Sequence, residues 1–192
     1  MSILTFSILL QAQLGCASWR GVTPFDGRLA HDSRLQLADA EDEVTIALGR
    51  RAAGVSDLRE LERDLDELAE RVAHTDESGA LLPAFETYVD ARLTAEEHLV
   101  RGLELELDLA HARLQLLRGR VAARHGLARP PLARLERRTR ALHEQRAALR
   151  ADTGSATASD RAADAFWSAY ADHVGGGGGS AELWNFALEE SR

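Results

Sequence analysis

The stretch Pro83–His125, PAFETYVDARLTAEEHLVRGLELELDLAHARLQLLRGRVAARH, decides how the rest of the chain is read. Proline is tolerated in a helix first turn, so Pro83 does not interrupt it, and after Pro83 only the isolated Gly102 and Gly119 weaken the helix before Gly126. Val89, Leu93, Glu96, Val100, Leu103, Leu107, Ala110, Leu114, Leu117 and Val121 recur at alternating spacings of four and three, with Glu96 the one polar member. That period predicts a single helix of about 43 residues carrying a coiled-coil seam, roughly 64 Å of continuous helix. Leu99, Leu105, Leu109 and Leu116 lie off the seam and widen its apolar face, which predicts contact with more than one neighbouring helix.

Downstream, Gly126 and the pair Pro130-Pro131 form a stop and a restart. A helix over 131–152 is therefore expected to fold back antiparallel, with Leu132, Leu135, Thr139, Leu142 and Leu149 facing inward. Thr153–Ser159 is small and polar and reads as a loop. Ser159 or Asp160 then caps a helix bearing Ala162, Ala163, Phe166, Trp167, Tyr170 and Val174, which the run Gly175–Gly179 ends. Upstream of the turn Thr75–Gly79, two helices are expected. One runs from Asp32 or Ser33 to Gly54, with Leu35, Leu37, Val44, Ile46 and Leu48 apolar and Gly54 as its stop. The next is capped by Ser56 or Asp57 and carries Leu58, Leu61, Leu65, Leu68 and Val72. The fold class is all-α, an extended antiparallel helical hairpin or coiled-coil bundle over residues 32–174 with one very long helix.

Composition agrees with this reading. A chain of 192 residues has room for one main core; 45% of it is hydrophobic and only 5% aromatic, with Leu and Ala dominant. Every basic residue other than histidine is Arg. The net charge of -8 hides a segregation: Ser56–Glu77 holds nine acidic residues and three Arg, whereas Arg118–Arg150 holds ten Arg against Glu136 and Glu144. The expected reading is that the basic stretch is neutralised within the molecule, for which the acidic stretch is available, or is merely solvated; nucleic acid, anionic lipid or an acidic protein are the alternatives.

Met1–Gly15 has no charged residue, and Ile3–Leu10 is an apolar run too short to span a bilayer but long enough for the core of a signal peptide. It ends at Gln13-Leu14-Gly15-Cys16-Ala17-Ser18, which resembles the lipobox of bacterial lipoproteins. The resemblance implies that residues 1–15 are removed and that Cys16 is lipidated with a diacylglyceryl thioether and becomes the new amino terminus. Ala17–Arg28, with Gly21, Pro24 and Gly27, reads as an irregular tether, within residues 16–31, between that anchor and the folded part. Gln13 stands where Leu is usual, and the basic n-region is missing unless the true start lies upstream of Met1. Cys16 is the only cysteine, so no intrachain disulfide competes for it. Ala17 and Ser18 resemble the residues that send lipoproteins to the outer membrane, facing the periplasm. The alternative is that Ile3–Leu14 is a buried helix or apolar tail and Cys16 an ordinary small hydrophobe.

No constellation for catalysis emerges. His31, His74, His98, His111, His125, His143 and His173 are dispersed, without a HExxH or Cys/His cluster, and no metal or other cofactor is expected. Asp108 and His111 share a helical face, and Glu96 and Glu97 adjoin His98, but both read better as solvated or register-setting positions. Gly175–Gly179 lacks the Lys and Ser/Thr of a phosphate loop, so no small-molecule substrate is expected. The Arg-rich stretch lacks stacking aromatics, which argues against nucleic acid.

After the glycine linker, Ser180 can cap a short amphipathic helix on which Leu183, Trp184, Ala187 and Leu188 share one side and Phe186 extends it. Leu183, Trp184, Phe186 and Leu188 are the expected partner-binding residues; folding back onto the molecule's own helices is the alternative. The stretch Ala91–Leu127 is similar in composition to the coiled-coil hairpins of TolC-type efflux proteins, although this chain is too short for a complete channel. Leu93-Thr94 followed by Glu97 resembles a motif of Spy-type periplasmic stress chaperones. The expected function is a non-enzymatic, lipid-anchored envelope scaffold or adaptor that self-associates or binds a protein. A periplasmic chaperone or metal-responsive sensor, an efflux accessory protein, or a cytoplasmic coiled-coil protein are the alternatives.

Overall fold

In the computed structural model, residues 17–76 and 79–176 are described. They form helices only: α1 (Ala17–Arg20), α2 (His31–Thr75), α3 (Leu82–Arg124), α4 (Leu132–Ala151) and α5 (Gly154–Gly175). The chain is all-α, and α3 has 43 residues.

The two expected helices upstream of the turn are one. α2 runs 45 residues straight through Gly54, which is buried and helical. The reason lies in register. Ser33, Leu37, Ala40, Val44, Ala47, Arg51, Gly54, Leu58, Leu61, Leu65, Leu68 and Val72 fall at unbroken spacings of four and three. Every one is buried or half-buried. A glycine inside a helix costs about 1 kcal/mol relative to alanine, too little to break a helix whose seam continues on both sides. Among described residues only Gly79 and Gly126 take positive φ, 70° and 66°, and both follow a helix end. Leu35, Ile46 and Leu48, read with Leu37 and Val44 as the apolar positions of the first helix, are off this seam and exposed.

The described residues fall into two units, one drawn from 17–51 and 103–149 and the other from 52–102 and 150–176. In the first, the amino-terminal part of α2, the carboxy-terminal part of α3 and α4 surround Leu37, Leu114, Leu116, Val121, Ala122 and Leu135. Ion pairs Arg118–Glu41 and Arg50–Glu106 set α2 antiparallel to α3, and Arg120–Glu136 and Arg146–Glu106 do the same for α4. The α3–α4 turn closes by two backbone bonds, Leu127 N–H to Ala122 O at 2.9 Å and Gly126 N–H to Ala123 O at 3.2 Å. This is the Schellman closure that a left-handed glycine allows. Gly119 lets α4 approach closely: a Cβ there would lie 3.1 Å from Leu132 and 3.3 Å from Leu135.

The sequence reads Ala17–Arg28 as a tether clear of the folded part. Its backbone beyond α1 is irregular, but Trp19, Val22 and Leu29 are buried in the first unit's core. Burial of one indole and two aliphatic side chains outweighs the freedom such a short segment would keep.

The second unit packs Leu65, Leu68 and Val72 of α2, Leu81, Phe85 and Tyr88 at the start of α3, and Ala162, Phe166 and Tyr170 of α5. Phe166 sits at its centre, with ring centroids 5.4 Å from Phe85, 5.3 Å from Tyr88 and 4.8 Å from Trp167. Buried Asp76 fastens the α2–α3 turn by accepting the Leu81 N–H at 2.6 Å. Thr153–Ser159, expected to be a loop, belongs to α5 from Gly154 onward. The Asp152 carboxylate accepts the Gly154 N–H at 3.0 Å, taking up a donor that a helix start leaves open, and Ser159 is buried on the inner face.

Phe166→Ala should cost about 3–5 kcal/mol and Leu114→Ala about 2–5 kcal/mol, because both are buried. Leu99→Ala, at a position 61% exposed, should stay within about 0.5 kcal/mol of the parent. Denaturant melts that failed to rank the three in this way would contradict the packing.

Candidate functional site

The arginines that crowd the stretch Arg118–Arg150 make the first unit's α3–α4 face its most distinctive chemistry. Arg113, Leu116 and Arg120 share one face of α3, and Glu136, Thr139, Arg140 and His143 share one face of α4. The antiparallel register brings them together, with Leu109, around a cleft of about 470 Å³. Arg120 is engaged by Glu136 at 2.8 Å. Of its other lining residues Arg113, Arg140 and His143 are exposed, and Leu109 and Leu116 are buried. Such a cleft suits an anionic group with an apolar flank. Each helix alone shows only arginines scattered among leucines, so the cleft becomes visible once α3 and α4 are set in register.

In the same unit Glu106 holds three helices. One of its oxygens accepts from Arg50 of α2 at 2.9 Å and the other from Arg146 of α4 at 2.7 Å. Arg51 adds a bond to Glu104 at 3.3 Å. The acidic stretch Ser56–Glu77 is the neutralising partner that the sequence suggests for the basic one. Instead Arg118, Arg120 and Arg146 pair with Glu41, Glu136 and Glu106, all outside it. Within Ser56–Glu77, Glu67 pairs with Arg71 one turn away. The acids nearest in space, set by helix register, take precedence over the most acidic stretch in sequence.

The loop entering α2 is braced in the same manner. The Asp26 carboxylate accepts from the Arg28 backbone N–H at 3.1 Å, Nε at 2.9 Å and Nη2 at 2.7 Å. The Arg28 guanidinium thereby holds the Asp26 carboxyl well below the usual range, at about 2, with a smaller contribution from the charge of His125. Asp26 N–H bonds Thr23 O at 3.1 Å, closing a turn whose Phe25 is 90% exposed. His125 Nε2 lies 3.3 Å from the Oγ of buried Ser33 and ties the α3–α4 turn to the start of α2.

Cys16 and the expected partner-binding residues Leu183, Trp184, Phe186 and Leu188 lie outside the described residues, as do Ile3–Leu14 and Ser180. Asp108 and His111 are exposed on α3. His98 has its Nδ1 2.9 Å from Ser155 Oγ, a contact between α3 and the first turn of α5. Among the described residues no group of three or more His, Cys, Asp or Glu side chains is placed to hold a metal ion. No described helix is long and apolar enough to cross a membrane.

Glu106→Gln should lower stability by about 1–2 kcal/mol, since two guanidiniums lose their charged acceptor in a partly screened setting. A double-mutant cycle with Arg146→Met should show coupling; additivity within error would contradict the clamp. The Asp26 turn has its own pH signature. A depressed carboxyl pKa means its bonds add stability above the ordinary value of 3.8, and this is lost as pH falls toward about 2. Amide chemical shifts of Phe25 and Arg28 should titrate with a midpoint of about 2, and in Arg28→Met the midpoint reported by Phe25 should rise toward 3.8. The chain matches no family model, and neither curated proteins nor solved structures gave a match.

Proposed function

We propose that the chain is a non-enzymatic helical adaptor held on a bacterial membrane by lipid on Cys16, facing the periplasm from the outer membrane, with its helices offered to a protein partner or a second copy. The observation that carries this reading is the uncharged run Met1–Gly15 ending at the chain's only cysteine. Such a run supplies the apolar core of an export signal, and Gly15 is the small residue that lipidation chemistry needs before the thiol. Trp19, three residues after Cys16, is buried in the first unit's core, so a lipid on Cys16 would hold that unit close to the membrane. In the same reading the tail with Leu183, Trp184, Phe186 and Leu188 is a docking peptide, tethered by Gly175–Gly179.

Mass spectrometry of the protein isolated from its native host should find a diacylglyceryl thioether on Cys16, and the protein should fractionate with membranes. Cys16→Ser should leave residues 1–15 attached or release the protein. An unmodified wild-type chain starting at Met1 in the soluble fraction would overturn the reading. Deleting Ser180–Arg192 should leave the melting temperature unchanged while a co-purifying partner is lost; a large fall in melting temperature would place the tail in the core instead.

A further inference from the structure

One end of the first unit combines three features that no part of the adaptor reading uses. The first is charge. Between Arg20 and Arg34 and between Arg120 and Arg137 there are eight Arg against Asp26, Asp32 and Glu136, in a chain whose net charge is -8. Arg20, Arg124, Arg129 and Arg134 are exposed. The second is Phe25, the most exposed large hydrophobic side chain among the described residues at 90%, in a turn braced by the Asp26–Arg28 bonds and by Asp26 N–H to Thr23 O. The third is that these sets lie together. Trp19, Val22 and Leu29, which flank the Phe25 turn, share a core with Leu127 and Ala128 of the α3–α4 turn, and Ser33 meets His125 across it.

We propose that this end of the first unit is a docking surface for an anionic lipid bilayer, with Phe25 entering the headgroup–acyl boundary and Arg20, Arg124, Arg129 and Arg134 resting among lipid phosphates. The chemistry is complementary in both parts. Guanidiniums bind phosphate oxygens in a fork, and an excess of arginine is drawn to a negatively charged surface within a Debye length. A phenyl ring held out by a braced turn gains by leaving water without giving up order, because the turn is already fixed. An acidic protein would satisfy the arginines but gives no account of one isolated, fully projected ring; nucleic acid would find no stacking platform here. The proposal deepens the reading of Cys16 as a lipid anchor and rests on it for the setting. Trp19 is locked in the core three residues after Cys16, so the chain between them spans at most about 11 Å. An anchor at Cys16 would hold the Trp19 end of the unit, and with it Phe25, at the bilayer surface.

The test uses the full chain with Cys16→Ser, so that no lipid is attached, and vesicles of phosphatidylcholine with or without phosphatidylglycerol. The uncharged run before Cys16 is common to all variants and carries no charge preference, so the readouts are differences. Phosphatidylglycerol should raise partitioning, and Arg124→Glu with Arg129→Glu should remove at least about tenfold of that gain. Phe25→Ala should weaken binding several-fold on the same vesicles. Emission from Phe25→Trp should be quenched by brominated acyl chains beyond the quenching of its parent, which reports Trp19, Trp167 and Trp184 alone. All three substituted positions are exposed, and circular dichroism verifies that the variants stay folded. Equal binding to neutral and anionic vesicles would overturn the proposal, as would indifference to charge reversal or Phe25→Trp emission no more quenched than the parent's. A positive result here with no thioether on Cys16 would refute the anchor and keep the surface; a thioether with no anionic preference would do the reverse.

Discussion

Everything in the described structure depends on one periodicity, the alternation of four and three that runs unbroken along α2 from Ser33 to Val72 and, less purely, along α3. A helix whose inward face repeats at 3.5 residues can be lined for its whole length by other helices. It has no point at which ending would bury more surface. Gly54 shows the strength of that constraint. Glycine is read as a stop when it follows the last apolar position, as Gly126 does, but Gly54 occupies an inward position and has the seam on both sides. In a close helix contact the missing side chain is a fit as much as a weakness, as Gly119 shows where Leu132 and Leu135 approach it.

The long helix α3 is legible because its seam, the turn chemistry at Gly79 and Pro83, and the break at Gly126 to Pro131 all agree. The same agreement makes α4 legible. Errors arise where a local signal is weighed without register. Residue type alone misplaces Gly54, Leu35, Ile46 and Leu48, whereas one seam of four and three carried across Gly54 places all four. The start of α5 is hidden for another reason: Ser155, Thr157 and Ser159 have loop-like composition, yet Asp152 supplies the acceptor that lets a helix begin before them.

The candidate sites are less legible than the fold, since clefts and charged ends are made by juxtaposition. Arg113 and Arg140 are far apart in sequence, and only the antiparallel return of α4 sets them around one opening. The segment before α2 is the clearest case. Gly21, Pro24 and Gly27 correctly signal an irregular backbone, but irregular is not detached, and Trp19, Val22 and Leu29 at uneven spacing give no periodic signal of the core they enter. Neutralisation of the arginines follows the same logic, with Glu41, Glu106 and Glu136 selected by proximity across helices.

The two units are interleaved along the chain, each built from two separated stretches. During synthesis the first part of α2 must therefore wait, its inward face uncovered, until the last part of α3 and then α4 have emerged. Neither unit can be completed from one continuous stretch. A fragment cut anywhere in α2 or α3 would leave apolar stripes on both pieces, so the protein should be folded and degraded as a whole. A nick in either long helix would act on both cores at once, and a chain emerging slowly would need a holding factor for its leucine-rich faces until the last helix arrives.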